Sequence, residues 1–212
     1  MERKYKKDIE CLFMKILIID LHSGNIGAFK NILESNNIHV DISNDYKVFS
    51  KYDVYIIPGV TSFDFLIGKI EKFNLSETIK NIFFINRKLI LGVCSGMQIF
   101  FKSSEEGVKK GLNLIEGKIV KFNDVKLPHV GWNEVNFTSK EFTSLKLMNK
   151  FYFNHSYYPI CPVEYILGET SYDLNFPSLI KKNNFIGLQF HPEKSNLNGI
   201  NFLNFILKKY AI

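Results

Sequence analysis

The strongest constraint on how this chain can fold is local, in the stretch Leu89-Ile90-Leu91-Gly92-Val93-Cys94-Ser95-Gly96-Met97-Gln98-Ile99-Phe100-Phe101. An apolar run of strand type meets a glycine-flanked cysteine, and an apolar segment of helical type begins directly after it, so the thiol is expected where a strand turns sharply into a helix. Gly92-x-Cys94-x-Gly96 is the cysteine counterpart of the G-x-S-x-G turn, whose glycines admit a strained backbone and keep the reactive atom exposed. Amides of the first helical turn carry partial positive charge, which favours an anion at this place. A lone cysteine after a buried strand is more often a small core residue, so this stretch alone does not establish catalysis.

Phe185-Ile186-Gly187-Leu188-Gln189-Phe190-His191-Pro192-Glu193-Lys194-Ser195 changes the balance. In an extended segment His191 and Glu193 point the same way, and Pro192 between them favours extension. A histidine and a carboxylate on one loop are what a cysteine nucleophile requires: a base for its proton, and an anion that fixes the base's tautomer and stabilises its charged form.

The remaining elements suit a parallel sheet flanked by helices. Met14 to Asp20 and Val54 to Ile57 read as buried strands, and His39 to Ile42 as a short one. A helix is expected over residues 28–36, one or two over 62–81 with a break at Asn74-Leu75-Ser76, and one running from the cysteine into Ser103-Ser104. Gly111 to Phe122 reads as a hairpin-like strand region, Phe151 to Tyr158 as an aromatic strand, and Asn175 to Leu188 as a hairpin that presents the His191 loop. In the last helix, Gly199 to Lys209, Ile200, Leu203, Phe205 and Ile206 are expected to face the sheet. Leu21 to Gly27 is a structural turn, with His22 a loop histidine, and residues 1–13 read as an N-terminal extension ahead of one domain over 14–212.

Composition excludes several classes. At 212 residues the chain suits a single well-buried domain. The 3 cysteines, Cys11, Cys94 and Cys161, include no C-x-x-C pair, which argues against a disulfide framework or a zinc site and favours a reducing, cytoplasmic setting. No apolar run is long enough to span a membrane. The net charge of +6 raises the question of nucleic acid, but the lysines are scattered and the only arginines are Arg3 and Arg87, so a solvated face, or one that docks onto an acidic partner, fits better.

Taken together, Pro58-Gly59-Val60, Leu91 to Gln98, Ser103-Ser104-Glu105-Glu106-Gly107, Pro128-His129-Val130-Gly131-Trp132-Asn133, His155-Ser156-Tyr157-Tyr158 and Gln189 to Ser195 resemble, in order, the motifs of the class I (triad-type) glutamine amidotransferases. The chain is most similar to the glutaminase subunits that serve imidazole glycerol phosphate synthesis. The resemblance implies a three-layer α/β fold with a mostly parallel, flavodoxin-like central sheet. It also implies glutamine hydrolysis by Cys94, His191 and Glu193 without metal or cofactor. An oxyanion hole is expected from Gly59, Val60 and Ser95, and substrate contacts from Gln98, Glu106, His155, Ser156 and Tyr157. The family has Pro-Gly-Val-Gly where this chain has Thr61 in last place, and a β-branched residue resists the peptide turn that glycine permits.

Because the likeness takes up nearly the whole chain, the ammonia acceptor belongs on another polypeptide, implied to be a (βα)₈-barrel cyclase subunit in a heterodimer of the histidine pathway. Trp132 is as compatible with core as with that interface. A paralogous glutaminase feeding a sugar-modifying amidotransferase, a free-standing γ-glutamyl hydrolase and an inactive scaffold are the competing readings.

Overall fold

In a computed structural model the chain is described over residues 14–85, 88–145 and 148–211. The expectations for residues 1–13, Cys11 included, and for Arg87 fall outside that range. Ile16–Ile19 (β1), Val54–Ile57 (β3) and Leu89–Val93 (β4) are buried at every position, as strands covered on both faces must be. β1 pairs in parallel with Val40–Ser43 (β2) and with β3, β3 with β4, and β4 with Phe185–Leu188 (β12). Leu174–Lys182 (β11), Ile166–Tyr172 (β10) and Asn136–Phe137 (β7) continue the sheet in antiparallel fashion. The full order is β2-β1-β3-β4-β12-β11-β10-β7, whose parallel part is doubly wound, so ligands are expected at the carboxyl ends of its strands.

Alternate residues of each strand feed two different cores. Ile16, Ile18, Ile56, Leu89 and Leu91 pack with Phe29 and Leu33 of helix α1 (Ile26–Ser35) and with Phe202, Leu203, Ile206 and Leu207 of α5 (Asn196–Tyr210). Leu17, Ile19, Tyr55, Ile57 and Ile90 face the other way, onto Phe63, Leu66 and Ile70 of α2 (Phe63–Lys72) and Ile79 and Phe83 of α3 (Ser76–Phe83). Period-two alternation with apolar residues on both faces produces the three layers. Asn74, at φ 56°, breaks α2 from α3 where the sequence suggested.

Two small antiparallel sheets cap the carboxyl edge. Lys118–Lys121 (β5) pairs with Tyr157–Ile160 (β9), and His129–Glu134 (β6) with Lys150–His155 (β8).

Three expectations are corrected. The helix after Cys94, α4, spans only Ser95–Gln98. The carbonyls of Ile99, Phe100, Phe101 and Lys102 accept instead from amides between Gly111 and Ile115, so these residues are drawn into a loop crossing rather than a helical ladder. For the same reason Gly111 to Gly117 forms no hairpin arm, and β5 finds its partner in β9. On α5 the buried face is Gly199, Phe202, Leu203, Ile206 and Leu207, with Ile200 and Phe205 at its margin.

Candidate active site

β4 delivers Cys94 to the carboxyl edge, where Cys94 N–H donates to Leu188 O at 2.7 Å and ties the elbow to β12. Cys94 adopts φ 53° and ψ −117°, a strained backbone for a residue with a side chain. The turn closes because glycine lies on both sides of a tight contact: a Cβ on Gly59 would collide with Gly96 N, and a Cβ on Gly96 with Ile57 O. Met97 N–H and Gln98 N–H donate to Cys94 O at 3.0 and 3.1 Å. The N–H groups of Ser95 and Gly96 open the helix and have no intrahelical acceptor.

The second loop meets the first. His191 Nδ1 and Glu193 Oε1 lie 2.8 Å apart, with both side chains 1% exposed. Their common direction comes not from an extended backbone but from a short 3₁₀ turn over Pro192–Lys194. His191 N–H donates to Tyr152 O at 2.8 Å, Ser195 Oγ donates to His191 O at 2.6 Å, and Tyr152 N–H donates to Ser195 Oγ at 2.9 Å, so backbone bonds pin the imidazole's base on both sides. Burial alone would lower the His191 imidazole. The charge of the Cys94 sulfur, its hydrogen bonding and the Glu193 carboxylate outweigh burial and raise His191 to about 10. Nε2 has no hydrogen-bond partner of regular geometry, so the sulfur acts on it here mainly through charge, an alignment that substrate binding commonly tightens.

Beside the sulfur is a cleft of about 220 Å³, floored by Cys94, Ser95, Gln98 and Glu106 and walled by His155, Ser156 and Tyr157. All the residues expected to touch substrate thus border one cavity. Gln98 is held from behind: its Nε2 donates to Tyr157 O at 3.1 Å and to Gln189 Oε1 at 3.2 Å, leaving its carbonyl oxygen for a ligand donor. Glu106 accepts from Phe63 N–H at 2.7 Å, and burial raises its carboxyl above the usual range despite that bond. A carboxylate and a carbonyl on one floor suit an ammonium group.

The oxyanion side is less complete. Val60 lines the cleft, yet its N–H donates to Ser23 Oγ at 3.3 Å, and Ser23 Oγ lies 2.9 Å from Thr61 Oγ1. Gly59 packs against the Gly96 backbone, and the Ser95 hydroxyl is buried without a partner.

Some functional neighbours escaped the sequence reading. Gln189 is fully buried and donates through Nε2 to Cys94 Sγ at 3.7 Å, and Asn154 O lies 3.8 Å from Sγ. A glutamine at the end of an otherwise apolar strand was the available signal. Ser23 sat in a turn read as structural only. Trp132 is half-exposed, and its ring meets Tyr152 edge-on. Burial pushes the Cys161 thiol up to about 12, as suits an inert cysteine. Among the described residues no acidic, histidine or cysteine cluster could hold a metal ion, and no helix is long and apolar enough to cross a membrane.

Comparison with known proteins identifies the family. The family model for class-I glutamine amidotransferases matches residues 17–207. Imidazole glycerol phosphate synthase subunit HisH 2 of Methanococcus maripaludis is 40% identical over 92% of this chain and 99% of its own length. Its namesake subunit HisH from Leptospira borgpetersenii is 41% identical over 86% of this chain and 94% of its own. A solved glutamine amidotransferase superposes with a TM-score of 0.71 at 12% identity, covering 91% of this chain and 97% of that one, a likeness of fold. The chain belongs to the class-I glutamine amidotransferases.

Proposed function

We propose that this glutamine amidotransferase is the glutaminase subunit of an imidazole glycerol phosphate synthase, acting through Cys94, His191 and Glu193. The observation that carries the reading is the buried His191–Glu193 pair, 2.8 Å apart, set against a cysteine on a strained elbow at the floor of a cleft. An imidazole raised to about 10 favours the imidazolium beside a thiolate as the resting state.

In the reaction, the Cys94 thiolate attacks the side-chain amide carbon of glutamine, and the carbonyl electron pair moves to oxygen. Ser95 N–H stabilises that oxyanion, joined by the Gly59-Val60 segment once the Val60 peptide turns away from Ser23. His191 gives its proton to the leaving nitrogen, the C–N bond breaks and ammonia departs, leaving a γ-glutamyl thioester. Neutral His191 then takes a proton from water, hydroxide adds to the thioester, and glutamate leaves as the thiolate and imidazolium return. Glu193 holds the Nδ1 proton throughout. Glu106 and the Gln98 carbonyl bind the substrate ammonium, and the backbone of His155 to Tyr157 holds its α-carboxylate.

Ammonia released into neutral water is mostly protonated and no longer nucleophilic, so the product has to pass directly to an acceptor enzyme. The names of the relatives support a partner subunit of imidazole glycerol phosphate synthesis as that acceptor and weigh against the sugar-modifying alternative; that this partner is a cyclase of the (βα)₈-barrel type rests on the family resemblance alone. The unpaired thiols of Cys94 and Cys161 fit a reducing cytoplasm.

Purified chain should release ammonia from glutamine slowly alone and much faster with the cyclase subunit and its substrate. Cys94→Ala should abolish both rates and prevent labelling by a glutamine-analogue electrophile. Full-rate hydrolysis that ignores the cyclase would instead favour a free-standing hydrolase.

A further inference from the structure

A single carbonyl sets the direction of a hydrogen-bond chain that runs beneath the cleft. Tyr157 O can only accept, so His155 Nδ1, 2.9 Å away, must carry a proton. A neutral His155 then presents Nε2 as an acceptor, and His129 Nδ1 at 3.1 Å donates to it. His129 Nε2 is left to accept from Asn133 Nδ2 at 3.2 Å, a group that also donates to Ser171 O at 2.9 Å. On the other side of Tyr157 O, Gln98 must present its NH₂, at 3.1 Å. That group also donates to Gln189 Oε1 at 3.2 Å, which turns the Gln189 NH₂ onto Cys94 Sγ at 3.7 Å. No donor or acceptor in the chain can be reversed without breaking the next.

We infer that Gln189 is a further catalytic residue, an N–H donor to the reactive sulfur, and that His129 and His155 are positioning residues that act through Tyr157 O, fixing the place of the carbonyl that turns Gln98 and, through it, Gln189. The inference rests on the glutaminase reading above. Gln189 is fully buried and its backbone N–H is fixed on Ser178 O at 2.9 Å, so only its side-chain orientation is free to be set. The histidines are enclosed by rings: His129 stacks on Tyr172 at 4.0 Å and Phe153 at 4.9 Å, and His155 lies 5.2 Å from Phe176. Burial lowers His129 to about 4 and His155 to about 3, which keeps each in its one neutral tautomer at working pH. A thiolate that accepts an N–H is stabilised relative to the thiol, and its lone pair is aimed by the donor.

Alkylation of Cys94 by iodoacetamide across pH tests this without glutamine. Ionisable groups around the sulfur are His191 and Glu193 at the 3₁₀ turn, His155 on β8, Tyr157 on β9 and Glu106 on the cleft floor, and none of them is altered in the variants. Gln189→Glu still accepts from Gln98 but offers no donor and adds a charge, so the pH of half-maximal alkylation should rise by about one unit. Gln189→Met removes the donor, and with it the acceptor for Gln98, without adding a charge, and should raise it by about half a unit; it carries the test if the charged variant does not fold. His129→Leu should produce a similar rise, and His129→Asn, whose amide reproduces the Nδ1 donor, should restore the parent profile.

A Gln189→Met profile that overlays the parent overturns the catalytic role, and His129→Asn behaving like His129→Leu overturns the positioning role. In the unaltered chain, the Gln189 side-chain amide resonances should move as the sulfur titrates; resonances that stay fixed overturn the inference whatever the variants do. A Gln189-dependent profile in a chain that never hydrolyses glutamine would sink the functional reading and leave this one standing.

Discussion

His155 lines the cleft and His191 lies behind the Cys94 sulfur; they are buried almost equally, at 6% and 1% exposure, yet they hold different charge states. His155, with His129 behind it, sits among Phe122, Phe153, Phe176 and Tyr172. The bond from His155 Nδ1 to Tyr157 O does not repay the loss of hydration, and burial drives the pair to about 3 and about 4. His191 suffers the same loss, but the Cys94 sulfur on one side and the Glu193 carboxylate on the other reverse its sign and carry it to about 10. Depth in the protein therefore does not set protonation here; the presence of an anion within hydrogen-bond reach does. One region holds a proton ready for transfer, while the other refuses protons and so keeps a fixed hydrogen-bond direction.

Removing the anion should break the contrast with the largest effect. Glu193→Gln preserves shape and a hydrogen bond but presents His191 with a neutral group and permits the wrong tautomer. We expect kcat to fall by about 10³- to 10⁴-fold and the His191 ring nitrogens to titrate well below 10, moving toward the behaviour of His155. Ammonia release and ¹⁵N imidazole shifts check the two halves. Unchanged rate and titration together would mean that the carboxylate does not distinguish the two regions.

Stability should tilt in opposite directions across pH. Folded His129 and His155 refuse protons that the unfolded chain takes up below about 6.5. Stability is therefore lost as pH falls from there toward 4 and 3, by up to about 1.4 kcal/mol per pH unit for each proton. His191, raised when folded, contributes stability that is fully present below about 6.5 and disappears as pH climbs through that value toward 10. Urea unfolding at pH 7 and pH 5 should show a shallower acid loss in His129→Asn than in the parent, by about one proton's worth, because carboxylate contributions are common to both. An identical loss would mean that His129 is not held neutral by the fold.

How far the sequence carried this picture depends on the range of the interactions involved. Leu89 to Val93 and Val54 to Ile57 announced themselves because a strand covered on both faces needs an unbroken apolar run, and the elbow because Gly92 and Gly96 must touch backbone. Local composition carries those signals. Phe100 and Phe101 looked helical for the same apolar reason, but their carbonyls belong to a loop that returns later in the chain. The His129–His155 pair was illegible as a pair: it exists because β6 and β8 align His129 opposite His155 across the strands, a register that no local pattern specifies. Gln189 was quoted within a motif and passed over, since its importance lies in which way its amide is turned.

The smallest effect lies across the sulfur, where hydroxyls rather than charges hold the geometry. Ser23 Oγ accepts the Val60 N–H at 3.3 Å and meets Thr61 Oγ1 at 2.9 Å, so two side chains secure a peptide whose donor would otherwise be available to an oxyanion. A buried hydroxyl hydrogen bond contributes about 1 kcal/mol, roughly a factor of five in an equilibrium. Thr61→Gly removes one hydroxyl and also the β-branch that opposes peptide rotation; Ser23→Ala removes the acceptor itself. Each should raise the partner-free rate of glutamine hydrolysis about fivefold, and the double variant should do little better than either alone, because both release the same peptide. Ammonia release without the cyclase measures all of these. If both single variants hydrolyse glutamine no faster than the parent, the Val60 N–H is not the missing donor, and Ser95 N–H carries the oxyanion with a partner from elsewhere on the elbow, Gly96 N–H being the nearest in the chain.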